Sequence, residues 1–111
     1  MRPFPRRGEV YWIDLDPTVG SEMRKTRPCV VVTNNILNER RHTVVIIPLS
    51  TTSPKKFPLY VPLPSVGDTS QAVVDQIRVV DKQRVGERLG ELLPSEIEKV
   101  EEAMKRVLDL D

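Results

Sequence analysis

Apolar and polar positions alternate or run in short blocks over most of this chain, and change to a helical period only near its C-terminus. In residues 9–15, Tyr11, Ile13 and Leu15 alternate with Val10, Trp12 and Asp14, the two-residue period of a strand. Large apolar groups on both sides predict that part of the second face is covered as well, with Trp12 in the core or an interface. Residues 28–33 (Pro, Cys, three Val, Thr) form a β-branched block, as expected of a central strand. Residues 34–41 are polar, with room for one helical turn. A third strand over 43–49 is expected to stop at Pro48, because proline brings no amide to a ladder.

Prolines mark residues 59–63 (Leu, Tyr, Val, Pro, Leu) as an edge strand, and residues 65–70, with Gly67 and Asp68, must turn. Residues 71–80 are a fifth apolar stretch interrupted by Asp75, Gln76 and Arg78, polar groups that need partners or a task if buried. Residues 82–93 form a polar link with space for a short strand at 87–89. After Pro94 the period changes. Ile97, Val100, Met104, Val107 and Leu108 fall on one stripe of a helix of about four turns, Ser95 with Glu98 forms a capping box, and Glu residues lead while Lys105 and Arg106 follow, the order that suits a helix dipole. Several short strands and one terminal helix predict an α+β domain built on a small curled sheet or barrel. The 111 residues are expected to form one domain.

Charge changes the picture more than composition does. The whole chain carries +1, yet residues 1–60 hold ten Lys/Arg against five Asp/Glu and residues 61–111 seven against eleven, giving +5 and −4. A basic N-terminal part suits an anionic polymer. Residues 1–7, with three Arg, two Pro and one Phe, read as a flexible basic arm that touches nucleic acid or frays. One cysteine, no apolar run near the roughly 20 residues of a membrane span, and no export signal predict a cytoplasmic protein without membrane contact.

The chemistry narrows by exclusion. One His and one Cys give no zinc spacing, G-rich phosphate loops are absent, and a two-histidine ribonuclease is ruled out by count; His42 reads as a solvated loop residue. A cofactor is not expected. A metal-free cut of RNA remains open, since the substrate brings its own nucleophile, the 2'-hydroxyl. The loop 18–27 concentrates Glu22, Arg24, Lys25 and Arg27 ahead of Pro28. A guanidinium on a rigid strand start can give two parallel hydrogen bonds to phosphate, and Arg27 fits. Ser50 or Thr51, at the end of the third strand, lies near Arg27 if the second and third strands pair. The remaining hydroxyls Thr52 and Ser53, beside Lys55 and Lys56, suit phosphate contact; Gln76 and Asp75 either brace the sheet or read a base, and Phe57 and Tyr60 are the aromatics available for stacking.

The run of residues 7–17 (Arg, Gly, Glu, Val, Tyr, Trp, Ile, Asp, Leu, Asp, Pro), then Gly20, Ser21, Glu22, Arg27 and Pro28 with a valine-rich strand, Pro48 with Leu49 and Ser50, Lys56 to Pro58, and Asp75, Gln76, Ile77, Arg78 resembles the MazF/PemK toxin family. The resemblance implies a small SH3-like β-barrel with a C-terminal helix, a homodimer, and a sequence-specific, metal-independent endoribonuclease acting on single-stranded RNA. It also implies restraint by a cognate antitoxin, with DNA met only through that partner. Its catalytic pair maps onto Arg27 and a hydroxyl, Ser50 or Thr51, in place of the family's Thr. The RNA contacts expected are Glu22, Arg24, Lys25, Lys55, Lys56 and Gln76. Met23, Arg24, Lys25 and Thr26 depart from the small residues and Gln common in that loop. Two other functions suit such a chain: a gyrase poison of the CcdB kind acting through the C-terminal helix near Leu108, and a barrel that binds RNA without cutting it.

Overall fold

Seven strands and two α-helices follow one another in the computed structural model, which describes residues 3–51, 53 and 55–110. They are β1 (Glu9–Asp14), β2 (Thr26–Val31), α1 (Asn35–Arg40), β3 (Thr43–Thr51), β4 (Tyr60–Pro62), β5 (Ser70–Val73), β6 (Arg78–Asp81), β7 (Val85–Glu91) and α2 (Pro94–Val107). All pairings are antiparallel, in the order β4-β5-β3-β2-β1-β7, with β6 also on β3. The α+β class with a terminal helix is as expected. The sheet is open by hydrogen bonding, with β4 and β7 at its two ends among the described residues.

Both faces of this sheet are buried, which is why its central strands read as continuous apolar blocks. Val10, Val30, Ile47, Leu49, Val61 and Ala72 share one core with Val100 and Ala103 of α2. Tyr11, Ile13, Leu15, Cys29, Val31 and Ile46, the alternate positions, share a second core with Val44 and Val80, built from the strands themselves. Trp12 lies outside both and is 40% exposed, so it is not a core residue. Cys29 is fully enclosed, and burial pushes its thiol up to about 12 against the pull of Arg27 and Arg78.

β3 does not stop at Pro48 but runs on to Thr51. The register explains how. Val32 N–H donates to the Val45 carbonyl (2.9 Å) and Val30 lies opposite Ile47, so by alternation residues 45, 47 and 49 bond toward β2 while 44, 46, 48 and 50 bond the other way. On that other side β6 ends its pairing at Ile46 and β5 begins at Leu49. The missing N–H of Pro48 therefore faces a gap, where the 3-10 turn Val74–Gln76 separates β5 from β6. The stretch 71–80 is thus two strands and a break, and its polar interruption is the break.

At the N-terminus Arg6 and Arg7 are tied down rather than frayed. Arg6 N–H donates to Glu9 Oε1 (2.7 Å), Arg7 Nε to the Val32 carbonyl (2.9 Å), and Arg7 pairs with Glu101 at 2.8 Å. Glu9, buried, also accepts from the Tyr11 hydroxyl (2.8 Å) and from Arg88 Nε (2.6 Å), joining β1 to β7. The strand expected at 87–89 is in fact longer, Val85–Glu91, because β1 gives it a partner. Gly8, at φ +89°, leaves only 3.1 Å between an added Cβ and Ile97, so α2 can sit close to the start of β1.

Helix α2 begins at Pro94, with Leu93 as its N-cap residue. The carboxylate that closes its first turn is Glu96 and not Glu98: Glu96 Oε1 accepts from Leu93 N–H (2.8 Å) and from the Ser65 hydroxyl, and Oε2 from Ser65 N–H (3.0 Å). Glu96 belongs to the first turn itself and reaches back to the N-cap amide, and proline at the first helical position has no N–H that needs a partner. Leu108, expected on the buried stripe, is the C-cap and 46% exposed. Burial raises the Glu96 pKa, but the Ser65 hydroxyl and the Leu93 and Ser65 amides outweigh it, leaving the carboxyl below its ordinary value. A lowered folded-state pKa contributes stability that is complete above the unfolded value and is lost as pH falls through the folded one. Glu96→Ala should destabilise the fold at pH 7 by about 2 kcal/mol, and the gap to wild type should shrink as pH drops below about 4.3. Denaturant titrations of both proteins at pH 7 and pH 3 check this; a gap that is the same at both values contradicts it.

Candidate active site

The geometry of the site starts from Pro28. By the same alternation, residues 28, 30 and 32 of the second strand segment bond toward β3, and the last paired positions are Cys29 and Pro48. Pro28 has no N–H to offer to the next pair, so the ladder ends there. Beyond it the two strands part around a groove of about 280 Å³ lined by Lys25, Thr26, Arg27, Leu49, Ser50 and Thr51 among others. Continuing the register across this opening sets Arg27 opposite Ser50 and Thr26 opposite Thr51. The three residues expected to carry chemistry therefore share one groove.

Arg27 is half-buried, and its Nε donates to the Arg24 carbonyl (2.9 Å). That bond and the strand hold the base of the guanidinium, while its two terminal nitrogens make no hydrogen bond or ion pair to any described residue. It is not neutralised by Asp16 or Glu22. Those carboxylates serve the loop backbone instead: Asp16 Oδ2 accepts from Lys25 N–H (3.1 Å), Asp16 Oδ1 from the Thr18 hydroxyl (3.3 Å), and Glu22 Oε1 from Val19 N–H (2.6 Å). The positive side chains of Arg24, Lys25 and Arg27 are thus left without a carboxylate partner among the described residues. Lys25 itself adopts φ +71°, a left-handed conformation unusual for a lysine, held by its amide bond to Asp16 and by Leu15 N–H donating to its carbonyl (3.0 Å).

A second groove, of about 290 Å³, meets the first at Ser50, which lines both. Its other walls are Ser21 and Met23 from the β1–β2 loop, Lys55 and Tyr60 from the β3–β4 side, and Asp75 and Gln76 from the 3-10 turn. The Lys55 ammonium stands 5.5 Å from the Tyr60 ring centroid. Gln76 Oε1 accepts from Met23 N–H (3.0 Å), so this residue braces the loop as well as lining the groove. Arg78 does related work, Nη1 donating to the Leu15 carbonyl (3.2 Å).

Not every expected contact comes together. Glu22, Arg24 and Lys56 line neither groove: Glu22 braces the loop, Arg24 Nη2 donates to the Gly20 carbonyl (3.3 Å), and Lys56 is exposed with its carbonyl bonded to Tyr60 N–H (3.1 Å). Phe57 faces α2, between Lys99 and Arg106 at 5.6 and 5.4 Å, so Tyr60 is the aromatic at the site. Thr52 lies outside the described residues. Two residues were not foreseen. Ser70 lines the first groove, and Gln71, 2% exposed, accepts from Lys55 N–H (3.1 Å) and donates to the Ser53 carbonyl (3.2 Å). An amide within a strand block was the available signal for Gln71.

Comparison with known proteins finds similarity over nearly the whole chain. Residues 6–108 match the family model described as PemK-like, MazF-like toxin of type II toxin–antitoxin system. The chain is 33% identical to endoribonuclease MazF9 of Mycobacterium tuberculosis, covering 95% of this chain and 97% of the relative. It is 34% identical to endoribonuclease EndoA of Bacillus subtilis, covering 95% of each. Among solved structures, a mycobacterial endoribonuclease in complex with its cognate antitoxin superposes with a TM-score of 0.82 at 31% identity, covering 96% of this chain and 97% of that one.

Because Asp16 holds two points of the β1–β2 loop, Asp16→Ala should loosen it while leaving both cores intact. Trypsin should then cut after Arg24 or Lys25 severalfold faster than in wild type, by raising the population of locally open loop. Time-resolved digestion with mass mapping of the fragments reads this; equal rates would show that Asp16 does not hold the loop.

Proposed function

The chain belongs to the PemK-like, MazF-like toxins of type II toxin–antitoxin systems, and from that premise we propose that its two joined grooves bind single-stranded RNA and cut it at a preferred sequence without a metal ion. The observation that carries this is the meeting of Arg27, whose terminal nitrogens have no partner among the described residues, with Ser50 and Thr51 in one groove. The 2'-hydroxyl of the nucleotide 5' to the cut attacks phosphorus; the bond from 2'-oxygen to phosphorus forms as the bond to the 5'-oxygen breaks. The products are a 2',3'-cyclic phosphate and a 5'-hydroxyl. The hydroxyl of Ser50 or Thr51 orients the nucleophile, and Arg27 lies against the phosphate oxygens as charge builds in the transition state. A guanidinium does not give up its proton in the physiological range, so its part is electrostatic.

Around this centre Lys25 and Lys55 meet backbone phosphates, Tyr60 stacks a base, and Gln76 holds the groove between them. The protein works as a cytoplasmic homodimer restrained by a cognate antitoxin, and reaches DNA only through that partner. The antitoxin complex of the mycobacterial relative supports the antitoxin as a partner.

Purified protein incubated with long, weakly structured RNA in EDTA should give discrete cuts that share a short word. Arg27→Ala should slow them by about a hundredfold or more. Mapping the 5' ends supplies the word; RNA bound but uncut would favour a binding module. A short RNA carrying one 2'-deoxy substitution at the mapped cut should bind normally and resist cleavage. If it is cut at the normal rate, the 2'-hydroxyl is not the nucleophile.

A further inference from the structure

We propose that Gln71 is a positioning residue of this site: without touching RNA, it fixes the loop between β3 and β4 and so sets which RNA words fit. The inference rests on the endonuclease function proposed above. At 2% exposure the Gln71 amide cannot reach a substrate in the grooves. Its Oε1 accepts from Lys55 N–H at 3.1 Å and its Nε2 donates to the Ser53 carbonyl at 3.2 Å. Its main chain, meanwhile, lies directly opposite Ser50 across the β3–β5 ladder. One residue therefore ties the position of the Lys55 loop to the position of the strand that carries the candidate hydroxyls.

The opposite rim of the second groove is held in the same manner. Gln76, five positions along the same segment, accepts from Met23 N–H at 3.0 Å. The distance between the two rims, and with it the shape offered to bases beside Ser50 and Tyr60, is set by two amides projecting from residues 71–76. Neighbouring positions of β5, Ala72 and Val73, are apolar and buried, and an apolar side chain at 71 would satisfy the core without the desolvation cost of an amide. What the amide adds is the hold on the loop. Since Lys55 and Ser53 are exposed, water can take over their backbone bonds when Gln71 is replaced. The consequence is then a displaced Lys55, not a lost fold.

The test compares wild type, Gln71→Met and Gln71→Glu on two short RNAs, one with the preferred cleavage word and one with the next best, with Tm measured alongside. In Gln71→Met, KM for the preferred word should rise about tenfold with a smaller change in kcat, and the ratio of kcat/KM between the two words should contract. Gln71→Glu keeps an acceptor for Lys55 N–H but loses the donor to Ser53, and should fall between. The ratio between words is independent of how much of the protein is folded, so a purely structural role would lower Tm and leave the ratio in place. Unchanged KM and unchanged ratio in both variants overturn the proposal. Wild-type protein that leaves both RNAs intact overturns the nuclease function itself, an outcome visible before any variant is made.

Discussion

A missing hydrogen-bond donor sets up the site. Strands β2 and β3 pair through the middle of the fold, and both of their inner faces are buried; without interruption the ladder would continue to the ends of the strands. Pro28 cannot donate toward β3, so the pairing stops at Cys29 and Pro48. The strands then diverge, still anchored by a packed core on one side. Arg27, Ser50 and Thr51 lie on the diverging ends, Arg27 still paired with Ile13 of β1 and Ser50 and Thr51 with Gln71 and Ser70 of β5. Pro48 faces the other way, toward the turn Val74–Gln76, and the same shortage of a donor lets β5 and β6 separate there. Two prolines, each unsuited to an unbroken sheet, leave the space in which Ser50 borders both grooves.

The loop that supplies the cations is held by its own carboxylates. In a solvated loop, Asp16 and Glu22 would pair transiently with Arg24, Lys25 or Arg27 and cancel their field, at little gain in stability. Here they accept from backbone N–H groups at Val19 and Lys25 and from the Thr18 hydroxyl. Arg84 Nη1 donates to the Asp14 carbonyl (3.1 Å) and to that of Asp16, fixing the start of the loop from β7's side. The left-handed Lys25 is sustained by this set of bonds. The arrangement presents positive charge on an ordered surface, as a polyanion site requires, and the negative charges needed for order are turned toward amides.

How far this was legible in the sequence depends on the range of the interaction. The alternation of Tyr11, Ile13 and Leu15, the block at 28–33 and the stripe at 97–107 announced β1, β2 and α2 because each is a local pattern. The extension of β3 past Pro48 was hidden, since whether a proline ends a strand depends on which side its absent N–H faces, and that is set by partners far along the chain, Ala72 of β5 and Arg78 of β6. Glu96 was passed over for Glu98 because the choice turns on Ser65, on the far side of the sheet sequence. Phe57 looked like a stacking residue until Lys99 and Arg106 of α2 were found against it. That Arg27 and Ser50 share one groove was legible from the expected pairing of the second and third strands; the bonds of Gln71 to Lys55 and Ser53 were not, because they reach 16 and 18 residues along the chain.

On the proposed function, this fold has one region that can vary without loss of its chemistry. The groove of Arg27 and Ser50 depends on proline geometry and on strands whose side chains fill two cores, so changes there cost stability and function together. The rims of the second groove hang on single side-chain bonds from Gln71 and Gln76 to loop amides. Such bonds can be exchanged for water at small cost in exposed loops, which moves Lys55 or Met23 while the parting of β2 and β3 stays as it is. On the proposed function, strand geometry therefore governs whether a phosphate can be held against Arg27, and two buried or half-buried amides govern the shape of what lies beside it. On that proposal, separating these two controls in the structure would let sequence preference change through loop support while the cutting geometry is kept.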